Sequence, residues 1–330
     1  MYMKSSYRKE DVEILLTDVT DEINSMSETE RAKVGYTEEY EMSEEYLNLC
    51  KELGQKYIKQ TAIAVGNLAE QLYKYKSQDV VLVSIVRSGI PIGILVKRYL
   101  QNKYKKNIYH YAISIKEGID KAAMDYIMSK HNVKDIQFVD SWTGKGTVAR
   151  TIKESAKNFE GLDSSLAVLS DCLNITKYCG TREDIAIPQA PINACITGIV
   201  SVPVIQKDKN KFDGATYLEE LESKDFSKEY VDLVEKEFDY NCNADGFKND
   251  LQEYEEVRDI AAKFNVDTSK INPGINEAAR AILRRKVDTI LVKDKNDAQL
   301  SEIIELANLK KIRIQEYELK YYRALSIAID

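Results

Sequence analysis

Histidine is nearly missing from this chain: His110 and His131 are the only two in 330 residues. That scarcity excludes a histidine-rich metal centre and leaves two imidazoles for any nucleophile that needs one. No apolar run is long enough to span a bilayer, and no charged-then-apolar leader opens the chain. The five cysteines, Cys50, Cys172, Cys179, Cys195 and Cys242, are odd in number and scattered, without metal-type pair spacing. They argue against a disulfide framework and for a reduced, cytoplasmic chain with no membrane partner. The length makes two domains the natural expectation. Tyrosine is abundant, at 21, for which packing and interfaces are the default explanation.

What is present is concentrated in a few stretches. Residues 136–140 form an apolar run that ends on one carboxylate, Asp140. Ser141, Trp142, Thr143, Gly144, Lys145, Gly146 and Thr147 follow, and a helical pattern continues over 148–156. A strand, a Gly/Thr-rich turn and a helix N-terminus together make a site for an anion. Glycines let backbone N–H groups converge, hydroxyls add donors, and the helix dipole favours negative charge. The spacing fits neither a Walker loop nor the dinucleotide fingerprint.

Upstream, residues 80–86 are a second uncharged, β-branched run. It ends in Arg87, Ser88, Gly89, Ile90 and Pro91, and a helix-like segment covers 94–100. Arg87 can donate to a diphosphate, and Gly89 allows close backbone approach. Residues 107–115 alternate as a strand does, Lys116 to Asp120 form a turn, and 122–131 reads as a helix. Another apolar strand over 164–170 ends at Asp171. This succession predicts a doubly wound parallel α/β sheet. Arg87, Lys116, Asp140 and Asp171 then gather at the carboxyl edge, where such sheets bind ligands.

Around this unit the reading is a helical N-terminal extension over 1–76, a domain over 77–240, a linker over 241–256 and a module over 257–330. The linker is rich in Asn, Asp and Gly. From Val257 onward there are 14 Lys and Arg against 11 Asp and Glu, a net of +3 in a chain whose total is −7. A basic end on an acidic body points to a polyanion. Within it, Gly274, Asn276, Glu277 and Arg280 open a helical pattern. An Asn amide and a Glu carboxylate can read base edges, and an arginine can bind phosphate. The same residues also serve an ordinary helix start.

The loop spacing resembles the phosphoribosyl-diphosphate loop of type I phosphoribosyltransferases. Asp140 falls on the second acid of that pattern and residues 143–147 on its Thr/Gly pentad, while Val139 stands where the first acid is expected. The tail resembles the Pelota-type RNA-binding domain, whose signature is Gly-x-Asn-Glu with a basic residue one turn on. Nearly end to end, the chain resembles the phosphoribosyltransferase–Pelota proteins of bacterial stress and tellurite-resistance operons. Several of those are named StiP-type cysteine proteases.

The resemblance implies a type I phosphoribosyltransferase-like parallel sheet with an N-terminal helical extension, plus a C-terminal α/β Pelota-type RNA-binding domain. It implies an enzyme that transfers phosphoribose to or from an unread acceptor. The partner is phosphoribosyl diphosphate or a nucleotide-like molecule, with Mg²⁺ neutralising the leaving group. Asp140, Lys116 and Asp120 would be catalytic, residues 116–120 forming a mobile hood. Arg87, Ser88, Gly89, Ser141, Thr143, Gly144, Lys145, Gly146, Thr147 and Asp171 would hold the substrate. Gly274, Asn276, Glu277 and Arg280 would meet structured RNA. Two alternatives stay open: a StiP-type cysteine protease built on Cys195 with His110 or His131, and a non-catalytic nucleotide sensor coupled to RNA binding. Whether the chain forms oligomers is also left open.

Overall fold

The structure is a computed structural model that describes residues 3–243 and 255–329. Most of the expected linker, 244–254, lies outside the described residues.

The N-terminal segment differs from its all-helical expectation. Two strands of two residues, β1 (Glu13–Ile14) and β2 (Thr17–Asp18), precede the helices α1 (Thr20–Ser25), α2 (Glu28–Lys33), α3 (Glu44–Gly54) and α4 (Ile58–Gln71). Leu15 and Leu16 between the strands are fully buried, which fixes the segment to the core. Strands this short show no periodicity in a sequence.

The first module is the expected parallel sheet. Its strands are β1, β3 (Val81–Ile85), β4 (Tyr109–Ile113), β5 (Ile136–Trp142), β6 (Leu166–Ser170) and β7 (Tyr178–Thr181), in the order β1-β4-β3-β5-β6-β7. Every pairing is parallel. β3, β5 and β6 are buried at each position, as strands covered on both faces must be. The crossovers are α5 (Gly89–Tyr104), α6 (Lys121–Met128) and α7 (Thr147–Ser155). A two-residue strand, β8 (Gly214–Ala215), pairs with β2, and α8 (Ser227–Lys236) packs on α4 and α5. The chain leaves β3 to one side for β4 and to the other for β5. The loops after β3 and β5 therefore meet at the switch point of the sheet.

The second module begins with α9 (Glu255–Lys263) and carries its own sheet. Its strands are β9 (Ile271–Pro273), β10 (Val287–Val292), β11 (Arg313–Glu316) and β12 (Ala324–Ala328), ordered β11-β10-β12-β9. β10 and β11 run parallel and the other pairs antiparallel, with α10 (Ile275–Arg284) and α11 (Ser301–Leu309) alongside. The modules share one apolar core. Ile275, Ala278, Ala279 and Ile282 of α10 belong to the same buried cluster as Leu82, Val139 and Ile187. Among the described residues no helix is long and apolar enough to cross a membrane.

Candidate functional site

The loops after β3 and β5 are tied to one another by short polar contacts. Asp140 is 5% exposed; its Oδ1 accepts from Ser88 Oγ at 2.6 Å and from the Ser141 amide at 2.8 Å. Burial pushes its carboxyl up to about 6. Ser141 Oγ donates to the Ser88 carbonyl at 2.6 Å. Gln189 Nε2 donates to Ser141 Oγ at 2.6 Å and to the same carbonyl at 3.1 Å. Gly89 is required here because a Cβ on it would lie 2.5 Å from the Val139 carbonyl oxygen. Gly146, at φ 70°, turns the chain into α7, which no side chain caps.

Beside these loops lies a cleft of about 510 Å³. Arg87, Ser88, Lys116, Asp140 and residues 143–147 line it from the first module. Asn272, Pro273, Glu277 and Arg280 line it from the second. The structure therefore gathers most of the residues expected to hold a substrate, but with roles the sequence did not show. Arg87 is 4% exposed, donates to Glu39 Oε2 at 2.8 Å and to the Val200 carbonyl at 3.2 Å, and leaves Nε buried without a partner. Lys116 Nζ donates to the Gly35 carbonyl at 3.1 Å, and Lys145 Nζ to the Thr268 carbonyl at 2.8 Å.

Two expected site residues, Asp120 and Asp171, do not line the cleft. Asp120 caps α6, accepting from the Ala123 amide at 3.2 Å, and also accepts from the Asp213 amide at 2.7 Å. Burial raises its carboxyl, and it does not line the cleft. Asp171 is fully buried and accepts from Thr143 Oγ1 at 2.8 Å, from Thr176 Oγ1 and its amide at 2.7 Å, and from Arg182. It ties Thr143 to the 176–182 segment behind the cleft. Glu39 and Gln189 were missed: nothing in their segments marks them, and they reach the site only through the fold.

In the C-terminal constellation Gly274 and Asn276 are buried, and Glu277 and Arg280 are half-buried. Gly274, at φ 85°, precedes α10, whose first amide, on Ile275, donates to Asp184 at 3.1 Å. Asn276 is 2% exposed, its amide donating to the Ile185 carbonyl and its Oδ1 accepting from the Ile187 amide, both at 2.9 Å. Glu277 Oε1 accepts from Trp142 Nε1 at 3.1 Å and lies 3.8 Å from Arg280 Nη1. These are the four residues that the sequence reading assigned to RNA. Asn276 locks the modules together, and Glu277 and Arg280 form a wall of the cleft.

Among the described residues no hydrogen bond joins a cysteine to a histidine. His110 is buried between Ser84 Oγ at 2.7 Å and the Asp11 carbonyl at 2.9 Å, and burial lowers it to about 3. His131 shares a 2.8 Å hydrogen bond with Tyr111. Cys50, Cys179 and Cys195 are fully buried, and Cys172 and Cys242 are partly exposed. Burial raises all five thiols, that of Cys195 to about 11. Each therefore rests protonated. Nor do the side chains suit Mg²⁺: Asp140 is a lone carboxylate beside Val139, and no group of three or more His, Cys, Asp or Glu gathers among the described residues.

Residues 5–235 match the family described as "Tellurite-like stress resistance cysteine protease StiP", and residues 251–329 match the "PELOTA RNA binding domain". A curated relative, "Cysteine protease StiP" of Acinetobacter baylyi (strain ATCC 33305 / BD413 / ADP1), is 27% identical over 357 residues. The alignment covers 98% of this chain and 93% of the relative. No solved structure matches. These findings overturn the expectation of a phosphoribosyl-transferring enzyme: the family and the relative are both named as cysteine proteases. What the sheet shares with such transferases is a parallel arrangement and a loop, which many chemistries use. The chain belongs to the StiP family of tellurite-like stress resistance cysteine proteases and carries a match to the PELOTA RNA-binding domain at its C-terminal end.

Proposed function

We propose that this chain is a StiP-type cysteine protease of the stress response whose C-terminal module binds RNA. The observation that carries the reading is the match over residues 5–235, joined by a relative named as a cysteine protease that aligns with 98% of the chain. The fold constrains which thiol is the nucleophile. Cys50, Cys179 and Cys195 are fully buried and closed to a polypeptide, which leaves Cys172 and Cys242 as the two cysteines with some exposure. Cys172 follows Asp171 at the carboxyl end of β6, on the seam between the modules and close to the loop that begins at Thr143. We assign it the nucleophilic role.

The electrostatics set a condition on that role. Burial, then the negative charges of Asp184 and Asp171, hold the Cys172 thiol well above its ordinary value. Neither histidine is bonded to it. Substrate binding must therefore bring a base to the thiol or open the seam, since the thiolate is the attacking species. The experiment is a peptidase assay on the full chain with Cys172→Ala, Cys195→Ala and Cys242→Ala. Cys172→Ala is expected to abolish cleavage, and Cys195→Ala to leave it intact.

RNA binding rests on the match over residues 251–329. With α10 turned inward, the exposed cations Lys286, Lys310, Lys311 and Arg313 supply the phosphate contacts. A titration of the full chain with structured RNA at two salt concentrations tests this. Affinity falling steeply with salt is the expected result, and no binding at low salt contradicts it.

A further inference from the structure

We propose that the cleft between the modules is one binding site for a small phosphate-bearing anion, and that Arg280 of the C-terminal module contacts that anion directly. The inference stands apart from the thiol chemistry above.

The place and size of the cleft fit a small ligand. It opens at the switch point of the parallel sheet, and its volume of about 510 Å³ is that of a small-molecule pocket. One wall is the Gly/Thr loop and the start of α7. The first amides of a helix have no intrahelical acceptor, and here no side chain caps them. The other wall is α10, which presents Glu277 and Arg280.

The charges around the cleft point to an anion. Arg87, although 4% exposed, leaves its Nε without a partner, and Arg280 Nε is likewise buried and unpaired. The nearest carboxylate to Arg280 is Glu277, at 3.8 Å, beyond hydrogen-bond distance. Lys116 and Lys145 hold backbone carbonyls and not carboxylates, so their charges are not neutralised in place. Of these four cations only Arg87 is bonded to a carboxylate, Glu39 at 2.8 Å; Glu277 stands 3.8 Å from Arg280, and burial raises the Asp140 carboxyl. Donors that converge from two modules, with Lys116, Lys145 and Arg280 each lacking a hydrogen-bonded carboxylate, suit a phosphate oxygen set.

Size decides against a polyanion at the same place. Asn276 is buried and bonded to the first module on both sides of its amide, and α10 shares an apolar core with it. With α10 held there, Glu277 and Arg280 are half-buried on the cleft wall, and a small anion needs only the existing space. The C-terminal module therefore completes a small-molecule site, and α10 reads that ligand.

The test is calorimetric titration of the full chain with inorganic diphosphate at low salt. Thr147→Val, on the first wall, and Arg280→Gln, on the second, are each expected to weaken binding by at least about tenfold. Arg280→Lys should restore part of the loss, which a merely unfolded variant would not do. Absence of saturable binding by the wild type overturns the site. Wild-type affinity in Arg280→Gln with a loss in Thr147→Val removes the C-terminal wall from it. Displacement of diphosphate by an RNA hairpin would show that the cleft takes the polyanion instead.

Discussion

Trp142 Nε1 donates to Glu277 Oε1 at 3.1 Å, and this bond joins the last residue of β5 to the first turn of α10 across the two modules. Trp142 is 8% exposed and its indole has one donor, so the carboxylate opposite it is a structural partner as well as a wall of the cleft. Trp142→Phe keeps an aromatic ring, removes the donor and leaves part of the indole's space empty. It should cost at least about 1 kcal/mol, the usual worth of the hydrogen bond, with the lost packing added, read as a lower midpoint in urea.

Asn276 closes the same interface more firmly. Replacing it by alanine leaves the Ile185 carbonyl and the Ile187 amide buried without partners. Each such group costs about 1–3 kcal/mol, so Asn276→Ala should be strongly destabilising in thermal unfolding. Asn276→Asp keeps the acceptor for Ile187 and loses the donor to Ile185, and should fall between the two. Equal stability of Asn276→Ala and the wild type would contradict a locking role.

Much of this was legible from residue order and some was not. β3 and β5 stood out because strands buried on both faces are continuous apolar runs, and the glycines and threonines that end them mark a loop. β1 and β2 were not legible, since two residues carry no period. Nor were Glu39 and Gln189: Glu39 meets Arg87 across 48 positions and Gln189 meets Ser88 across 101. Asn276 shows the limit most clearly. Its type announces a polar contact, but tertiary packing chose the partner, and the partner was the chain itself.

Glu302 on α11 supplies a prediction about pH. It is 2% exposed, its Oε1 has no hydrogen-bond partner, and burial pushes its carboxyl from 4.5 up to about 8. The folded state then holds a proton that the unfolded state gives up, so stability falls as pH rises from about 4.5 to about 8. Below that window both states are protonated and there is no loss. Glu302→Gln removes the penalty and should raise the melting temperature at pH 8, with the gain shrinking toward pH 5. At one pKa unit per about 1.4 kcal/mol the gain is at most a few kcal/mol. A gain that is constant across this range would show that the carboxyl does not titrate in the folded chain.

Gly89 tests the contact between the two loops. An alanine Cβ would meet the Val139 carbonyl oxygen at 2.5 Å, and neither backbone can give way easily. Gly89→Ala should destabilise by about 1–3 kcal/mol, as overpacking does, and should weaken ligand binding at the cleft along with it. Differential scanning calorimetry reads the first effect, and diphosphate titration reads the second.

The proposed protease activity rests on Cys172 as nucleophile. The most direct measurement is cleavage of an unstructured protein substrate by the full-length wild type and by Cys172→Ala, both shown to be folded by circular dichroism. Turnover by the wild type, its loss in Cys172→Ala and its retention in Cys195→Ala are the expected results. Turnover that survives in Cys172→Ala, or a folded wild type that cleaves nothing, would contradict it.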